Sequence, residues 1–274
     1  MTIAAIVFSR DRAAQLDLLL DSLQRNAPGL LDPIDVLWQA TGEPYERGYG
    51  RCAAAHPEAR FLRETAFATQ VATLVEGGGA LTFFTDDSVL FKPLTTRPRR
   101  PESWLSTNEE LVCFSLRLGS NCDSCYSLAR PQLLPAFTFL DSETLAWEWQ
   151  EADGDFGYPG SLDGHVFRRE TILELISAGG YSNPNTLEEL LATRIAADAR
   201  GSIGSYRESH LVGVPVNRVN QTHPNRFGER WPYGLSVLNE RYLAGGRLDP
   251  APLEGEPITA AHAELPLRWC PSDQ

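Results

Sequence analysis

Apolar and polar positions through residue 91 fall into two alternating rhythms. "IAAIVFS" (3–9) is a continuous apolar run of strand length, and the following "RDRAAQLDLLLDSLQRNAPG" sets Leu16, Leu19, Leu20 and Leu23 at helical spacing before a Pro-Gly stop. "IDVLWQAT" (34–41) predicts a second strand, "GYGRCAAAHPEA" a short helix or loop, and "RFLRE" a third strand. "AFATQVATLVEGG" predicts a helix that runs through glycines into "ALTFFTDDSVLF" (80–91), which reads as one buried strand. Apolar strands alternating with amphipathic helices predict an α/β fold: an open, mostly parallel sheet flanked by helices. Ligands of such sheets bind at the carboxyl ends of the strands.

The second half is less regular. "LVCFSLRLG" and "YSLARP" are strand candidates, and "TLAWEWQEADGDFGYPGSLDGHVFRR" suits a strand leading into a structured loop. Residues 168–179 and 185–199 read as helices, the second with Asn185 as N-cap, and 211–219 reads as a strand. A polar loop, "NQTHPNRFGERWPYG", precedes a last helix in "SVLNERYLAGG". The expected organisation is one domain over 1–246, with halves 1–95 and 96–246, followed by a Pro-rich, irregular tail over 247–274. Trp147 and Trp149, at alternate positions, point the same way on a strand, where core packing is favoured over a sugar platform.

Composition narrows the function. With 42% hydrophobic residues in 274 the chain can bury a full core. A formal charge of -12 argues against nucleic acid as a partner, because such affinity rests on Lys and Arg neutralising phosphates. Lys92 is the only lysine, so no Walker-type phosphate loop exists, and no Gly-x-Gly-x-x-Gly, Gly-x-Ser-x-Gly or His-Glu-x-x-His motif is found. No stretch approaches a membrane span and the first apolar run is too short for a signal peptide, which predicts a cytoplasmic protein with its five cysteines reduced. Cys122 and Cys125 form a Cys-x-x-Cys pair without a second pair at zinc-finger spacing.

Asp86 and Asp87 stand inside an apolar run, where an uncompensated charge is expensive. A hard cation holding an anionic substrate would compensate them, since Mg²⁺ or Mn²⁺ commonly takes one or two carboxylates plus phosphate. The alternative is a turn or N-cap role at a strand end.

The order of motifs adds to this reading. A first strand closing in "FSRDRAAQLDLLLDSL", the pair in "TDDS", Phe167-Arg168-Arg169 and the acidic helix start "TLEELL" together resemble the family-2-like glycosyltransferases of the GT-A fold. That resemblance covers roughly residues 3–243. It implies a nucleotide-diphosphate sugar donor, a hydroxyl acceptor (sugar, lipid-linked glycan or small molecule), Mn²⁺ or Mg²⁺ at Asp86 and Asp87, and inversion by single displacement. Ser88 stands where a third aspartate is usual, and Glu188-Glu189 where Glu-Asp is commoner.

On this resemblance Ser9, Arg10, Arg12, Gln39, Asp86 and Arg226 meet the nucleotide sugar, and His223 is an additional metal ligand or a solvated loop histidine. Arg226 and Arg230 are diphosphate clamps or ordinary surface charge. Glu188 is preferred over Glu189 as general base, the other being a helix-start or acceptor-side carboxylate. Asp163 and His165 in "SLDGH" are the rival pair, contacting acceptor or donor sugar, with Asp163 otherwise an N-cap. Two other classes remain. A metal-dependent nucleotidyltransferase would use the same phosphate logic but usually has a glycine-rich loop after the first strand, which "FSRDRAAQ" lacks. A non-catalytic carbohydrate-binding protein of the same fold would need no catalytic acids.

Overall fold

Ile3–Arg10 (β1) is apolar on both faces: Ile3, Ala5 and Val7 enter one core, and Ala4, Ile6 and Phe8 enter another. A strand buried on both faces requires cover above and below. The computed structural model, which describes residues 2–198, 201–219 and 226–270, shows where that cover comes from. After β1 the chain forms Ala13–Asn26 (α1), Leu31–Gln39 (β2), Glu43–Ala55 (α2), Ala59–Arg63 (β3), Phe67–Val75 (α3), Ala80–Thr85 (β4) and Ser88–Leu90 (β5). Pro101–Thr107 (α4) and Leu111–Ser115 (β6) follow, then the short strands Ser124–Cys125 (β7), Arg130–Pro131 (β8) and Thr138–Phe139 (β9). Thr144–Glu148 (β10), His165–Arg168 (β11), Arg169–Ile176 (α5), Pro184–Asp198 (α6), Ser202–Tyr206 (β12), Leu211–Gly213 (β13) and Leu235–Leu243 (α7) complete the order.

The central sheet runs β3-β2-β1-β4-β11-β6-β12-β10-β9. Its strands point one way except β10 and β11, so it is mostly parallel, as the alternation of elements predicts. Leu16, Leu19, Leu20 and Leu23 of α1 pack one face together with Tyr49, Leu238 and Tyr242. Val71, Val75, Ile172, Leu187 and Leu191 cover the other. The chain moves from β1 outward through β2 and β3, then returns to place β4 on the opposite side of β1. That reversal opens a crevice at the carboxyl ends of β1 and β4.

Several expectations are corrected. The run 80–91 is not one strand: Asp86 N–H donates to Phe8 O at 3.2 Å, the last backbone-to-backbone bond to β1, and Asp87 O accepts from Val214 N at 2.8 Å. The ladder changes partner at the two aspartates, and β5 pairs with β13 in a separate sheet. Helix α6 is capped by Asn183, not Asn185: Asn183 Oδ1 accepts from Thr186 N at 3.1 Å, and Pro184 takes the first helical position, where a missing N–H costs nothing. The strand expected over 211–219 stops at Gly213, before Pro215. Trp147 and Trp149 are buried, and Trp147 Nε1 donates to Phe156 O at 3.0 Å, so both belong to the core. All five cysteines are unpaired.

The segment beyond Arg247 has little regular structure, yet it buries Leu248, Leu253, Ile258, Ala261 and Leu265. It also forms a parallel bridge between His262 and Gly213. A side chain on Gly213 would force the His262 ring to move, because a Cβ would lie 2.3 Å from His262 Cδ2. No helix among the described residues is long and apolar enough to cross a membrane.

Candidate active site

The site begins where β1 ends. Asp11 takes a left-handed conformation (φ 57°), uncommon outside glycine but tolerated best by Asn and Asp. Its N–H donates to Gln39 O at 3.1 Å, and its carboxylate accepts from Thr41 N at 2.7 Å and Thr41 Oγ1 at 2.9 Å. This turn brings Arg12 back toward the end of β4. Asp86 Oδ1 accepts from Arg12 Nη1 at 2.9 Å, while Oδ2 accepts from Ser9 Oγ at 2.8 Å and Arg10 N at 3.1 Å. Arg12 Nη1 also reaches Asp87 Oδ2 at 3.2 Å, and Nη2 donates to Asn217 O. The charge that the apolar run seemed unable to bury is therefore met by a buried guanidinium. Burial still pushes the Asp86 carboxyl up to about 6 against the pull of Arg12.

A second group of acids lies beyond Asp87. Thr85 Oγ1 donates toward both Asp87 Oδ1, at 2.8 Å, and Asp163 Oδ1, at 2.5 Å. A hydroxyl has one proton. At any moment one of these two oxygens lacks it. Asp163 is delivered by the turn at Gly164 (φ 72°), whose N–H donates to Phe83 O at 2.8 Å. Asp163 Oδ2 accepts from His262 Nε2 at 3.2 Å and Arg117 Nη1 at 3.4 Å. Burial alone would raise this carboxyl, but the His262 hydrogen bond and the Arg117 charge outweigh it and hold Asp163 well below the usual carboxylate range.

Glu188, in the first turns of α6, accepts from Leu162 N through Oε1 at 3.1 Å. Burial, and then the negative charge of Asp163, push it up to about 7. Two neighbouring carboxyls are thus driven in opposite directions, a pattern that separates the acid/base group from the permanently charged one.

These groups line one cavity of about 750 Å³, within the range of small-molecule sites. The cavity brings together Ser9, Arg10, Arg12, Gln39, Asp86, Asp87, Asp163, Glu188 and Arg226, all expected from sequence. It leaves others out. Glu189 is exposed and outside the lining. His165 is buried behind the cavity, its Nδ1 toward Pro159 O at 3.3 Å, and burial with the nearby Arg117 charge lowers its pKa to about 3, so it stays neutral. An acceptor contact from either residue finds no support in this placement. The Arg226 guanidinium also bonds Glu229 and Tyr126 O, and Arg230 lies outside the lining. His223 lies outside the described residues.

Arg117, His262, Thr85 and Glu64 also line the cavity, and sequence reasoning did not find them. Arg117 follows a strand with no motif around it, and His262 lies in the segment read as a tail. Elsewhere, Asp17, Cys52 and His56 converge closely enough to suggest a metal site. Both Asp17 oxygens are already filled there, by His56, Tyr242 and Arg247. That cluster ties α1, α2 and α7 together.

No family model matches the chain. A curated relative, the bifunctional glycosyltransferase pgtA of Dictyostelium discoideum, is 25% identical over 214 residues, covering 68% of this chain and 27% of that protein. The chain thus spans about a quarter of the length of that relative. The resemblance read from the motifs is met again there. Among solved structures, S. aureus TarS is similar over 77% of this chain and 36% of its own, at 11% identity and a TM-score of 0.49. The mannosyltransferase PcManGT from Pyrobaculum calidifontis, solved with GDP-Man and Mn²⁺, is similar over 74% of this chain and 56% of its own, at 16% identity and a TM-score of 0.42.

Proposed function

We propose that this chain is a glycosyltransferase that moves a sugar from a nucleoside-diphosphate donor to a hydroxyl acceptor, with Glu188 as general base. The observation that carries the reading is the divergence of the two carboxyls. A base works best near the ambient pH, and Glu188 at about 7 is so placed inside the cavity. The acceptor O–H gives its proton to Glu188 as its oxygen attacks the anomeric carbon. The carbon–oxygen bond to the diphosphate breaks, and its electron pair leaves with the phosphate. Asp163, held low by His262 and Arg117, is a weak nucleophile, which favours single displacement with inversion. Arg218 and Arg226, both on the lining, supply positive charge for the leaving diphosphate.

The donor set fits a divalent cation through Asp87. Asp86 is saturated by three donors, whereas Asp87 is more open and faces Asp163 across a hydroxyl that can satisfy only one of them. Asp87, with Asp163 beside it, would hold Mn²⁺ or Mg²⁺ together with the donor's phosphates, and Asp86 would anchor Arg12. Such an ion acts as a Lewis acid toward the phosphate oxygens. The curated relative, a glycosyltransferase by name, agrees with the activity.

The test is a transfer assay over a panel of sugar nucleotides and acceptors. Glu188→Gln should lower turnover by about 10² to 10⁴ while leaving donor affinity nearly unchanged. Asp87→Asn should remove the Mn²⁺ dependence of donor binding. Full activity in Glu188→Gln together with its loss in Asp163→Asn would move the base to Asp163 and overturn the assignment.

A further inference from the structure

The cavity extends past the aspartates to the carboxyl ends of β2 and β3, where three polar side chains stand in a row. Arg10 is paired in register with Gln39. Trp38 is paired with Arg63, and the ladder continues one step beyond, Glu64 N–H donating to Trp38 O at 2.8 Å. Arg10, Gln39 and Glu64 therefore occupy successive strands at the same level, and all three line the cavity beside Leu37 and Phe8. None is fully exposed. Among the described residues, no hydrogen bond engages any of these three side chains, whereas Arg12, Arg117 and the carboxylates Asp86, Asp87, Asp163 and Glu188 on the same wall are all hydrogen-bonded. The three are half-exposed, and the charge of Arg10 acts on Glu64 across the row. It presents an unmet acceptor, a dual-function amide and an unmet donor, over an apolar floor.

We infer that this row recognises the nucleotide's base and selects guanine. The inference rests on the donor reading above, which sets the diphosphate at the β1 and β4 ends and leaves the β2 and β3 ends for the base. A carboxylate only accepts hydrogen bonds, an amide does both, and a guanidinium only donates. Read from Glu64 through Gln39 to Arg10, the row complements an edge that begins with donors and ends with an acceptor. Guanine offers N2–H and N1–H side by side and then O6, so both N–H groups can meet Glu64 in parallel while Gln39 and Arg10 donate to O6. Uracil's edge is acceptor, donor, acceptor, which sets a carbonyl oxygen against the carboxylate. Adenine and cytosine give Glu64 a single donor. Paired bonds to a charged group are the stronger and more discriminating kind. Leu37 and Phe8 supply the surface against which a flat base can lie.

The experiment is calorimetry on the full chain with GDP, UDP, ADP and CDP, each with Mn²⁺ and with a chelator, repeated for Glu64→Gln and Glu64→Ala. GDP should bind at least tenfold more tightly than the others. Glu64→Gln keeps the volume but turns an N–H toward guanine's own donors, and should weaken GDP by about ten- to hundredfold while leaving UDP within a few-fold. Thermal melting of both variants checks that the fold is kept. Another nucleotide binding as tightly as GDP, or unchanged GDP affinity in both variants, overturns the guanine inference and leaves the donor reading standing. No binding by any of the four at millimolar concentration overturns both.

Discussion

Glu188 makes the chain less stable than it could be, and the size of the effect follows from its surroundings. Its ordinary pKa is 4.5, and in the fold it is pushed up to about 7 by burial and by Asp163. Between those values the native state holds a proton that the unfolded chain has released. Stability therefore falls as pH rises through this window, and the loss is complete above about 7. The difference corresponds to about 3 kcal/mol at most, at 1.36 kcal/mol per pKa unit. Glu188→Gln removes the ionisation, and its oxygen can still accept from Leu162 N. The variant should match the parent near pH 4.5 and exceed it progressively toward pH 8.5, by about 5 °C in melting temperature for a chain of this length. Differential scanning calorimetry from pH 4.5 to 8.5 measures this directly, and turnover recorded on the same samples should move the opposite way. Superimposable stability curves across that range would refute the argument, because an unshifted Glu188 has no special claim to act as base at neutral pH.

Two further outcomes follow from the packing. Arg12→Ala leaves Asp86 buried without its cation, a loss of about 3–5 kcal/mol in urea unfolding at pH 7.5 that shrinks at pH 5 as Asp86 takes a proton; a loss independent of pH would contradict this account. Gly213→Ala sets a methyl group 2.3 Å from His262 Cδ2, so the ring must leave Asp163. It should cost about 1–3 kcal/mol and lower turnover much as His262→Ala does, whereas parental kinetics would show that the contact is dispensable.

The first half of the fold was legible because β1 and β4 are apolar on both faces, α1 sets its leucines at helical spacing, and Gly, Pro or polar residues mark the boundaries. The division of 80–91 was not, since hydrophobicity continues unbroken on both sides of Asp86 and Asp87 and says nothing about which strand is the partner. β12 escaped notice because "SIGSY" is short and half polar, its burial coming from β6 and β10 on either side. The acids of the site could be read because charges at the ends of apolar runs stand out. Arg117 and His262 could not, because their importance lies in meeting Asp163, and no spacing along the chain encodes that meeting. Adjacent helix positions diverge by about 100°, and Glu188 and Glu189 do divide between cavity and solvent.

The neighbours of Asp163 have a consequence for how the molecule comes to possess a site at all. Thr85, Arg117 and His262 reach it from three distant stretches of chain. No hairpin or single βαβ unit contains even a rudimentary version of this arrangement, and contacts of such long sequence separation are the slow ones to form. A partly folded chain can own its first parallel strands, its leucine-faced helix and even the Arg12–Asp86 pair while Asp163 still titrates as an ordinary carboxylate. The lowered pKa of that one group is therefore a reporter of completed topology, acquired only when Thr85, Arg117 and the late segment bearing His262 have been brought together around it.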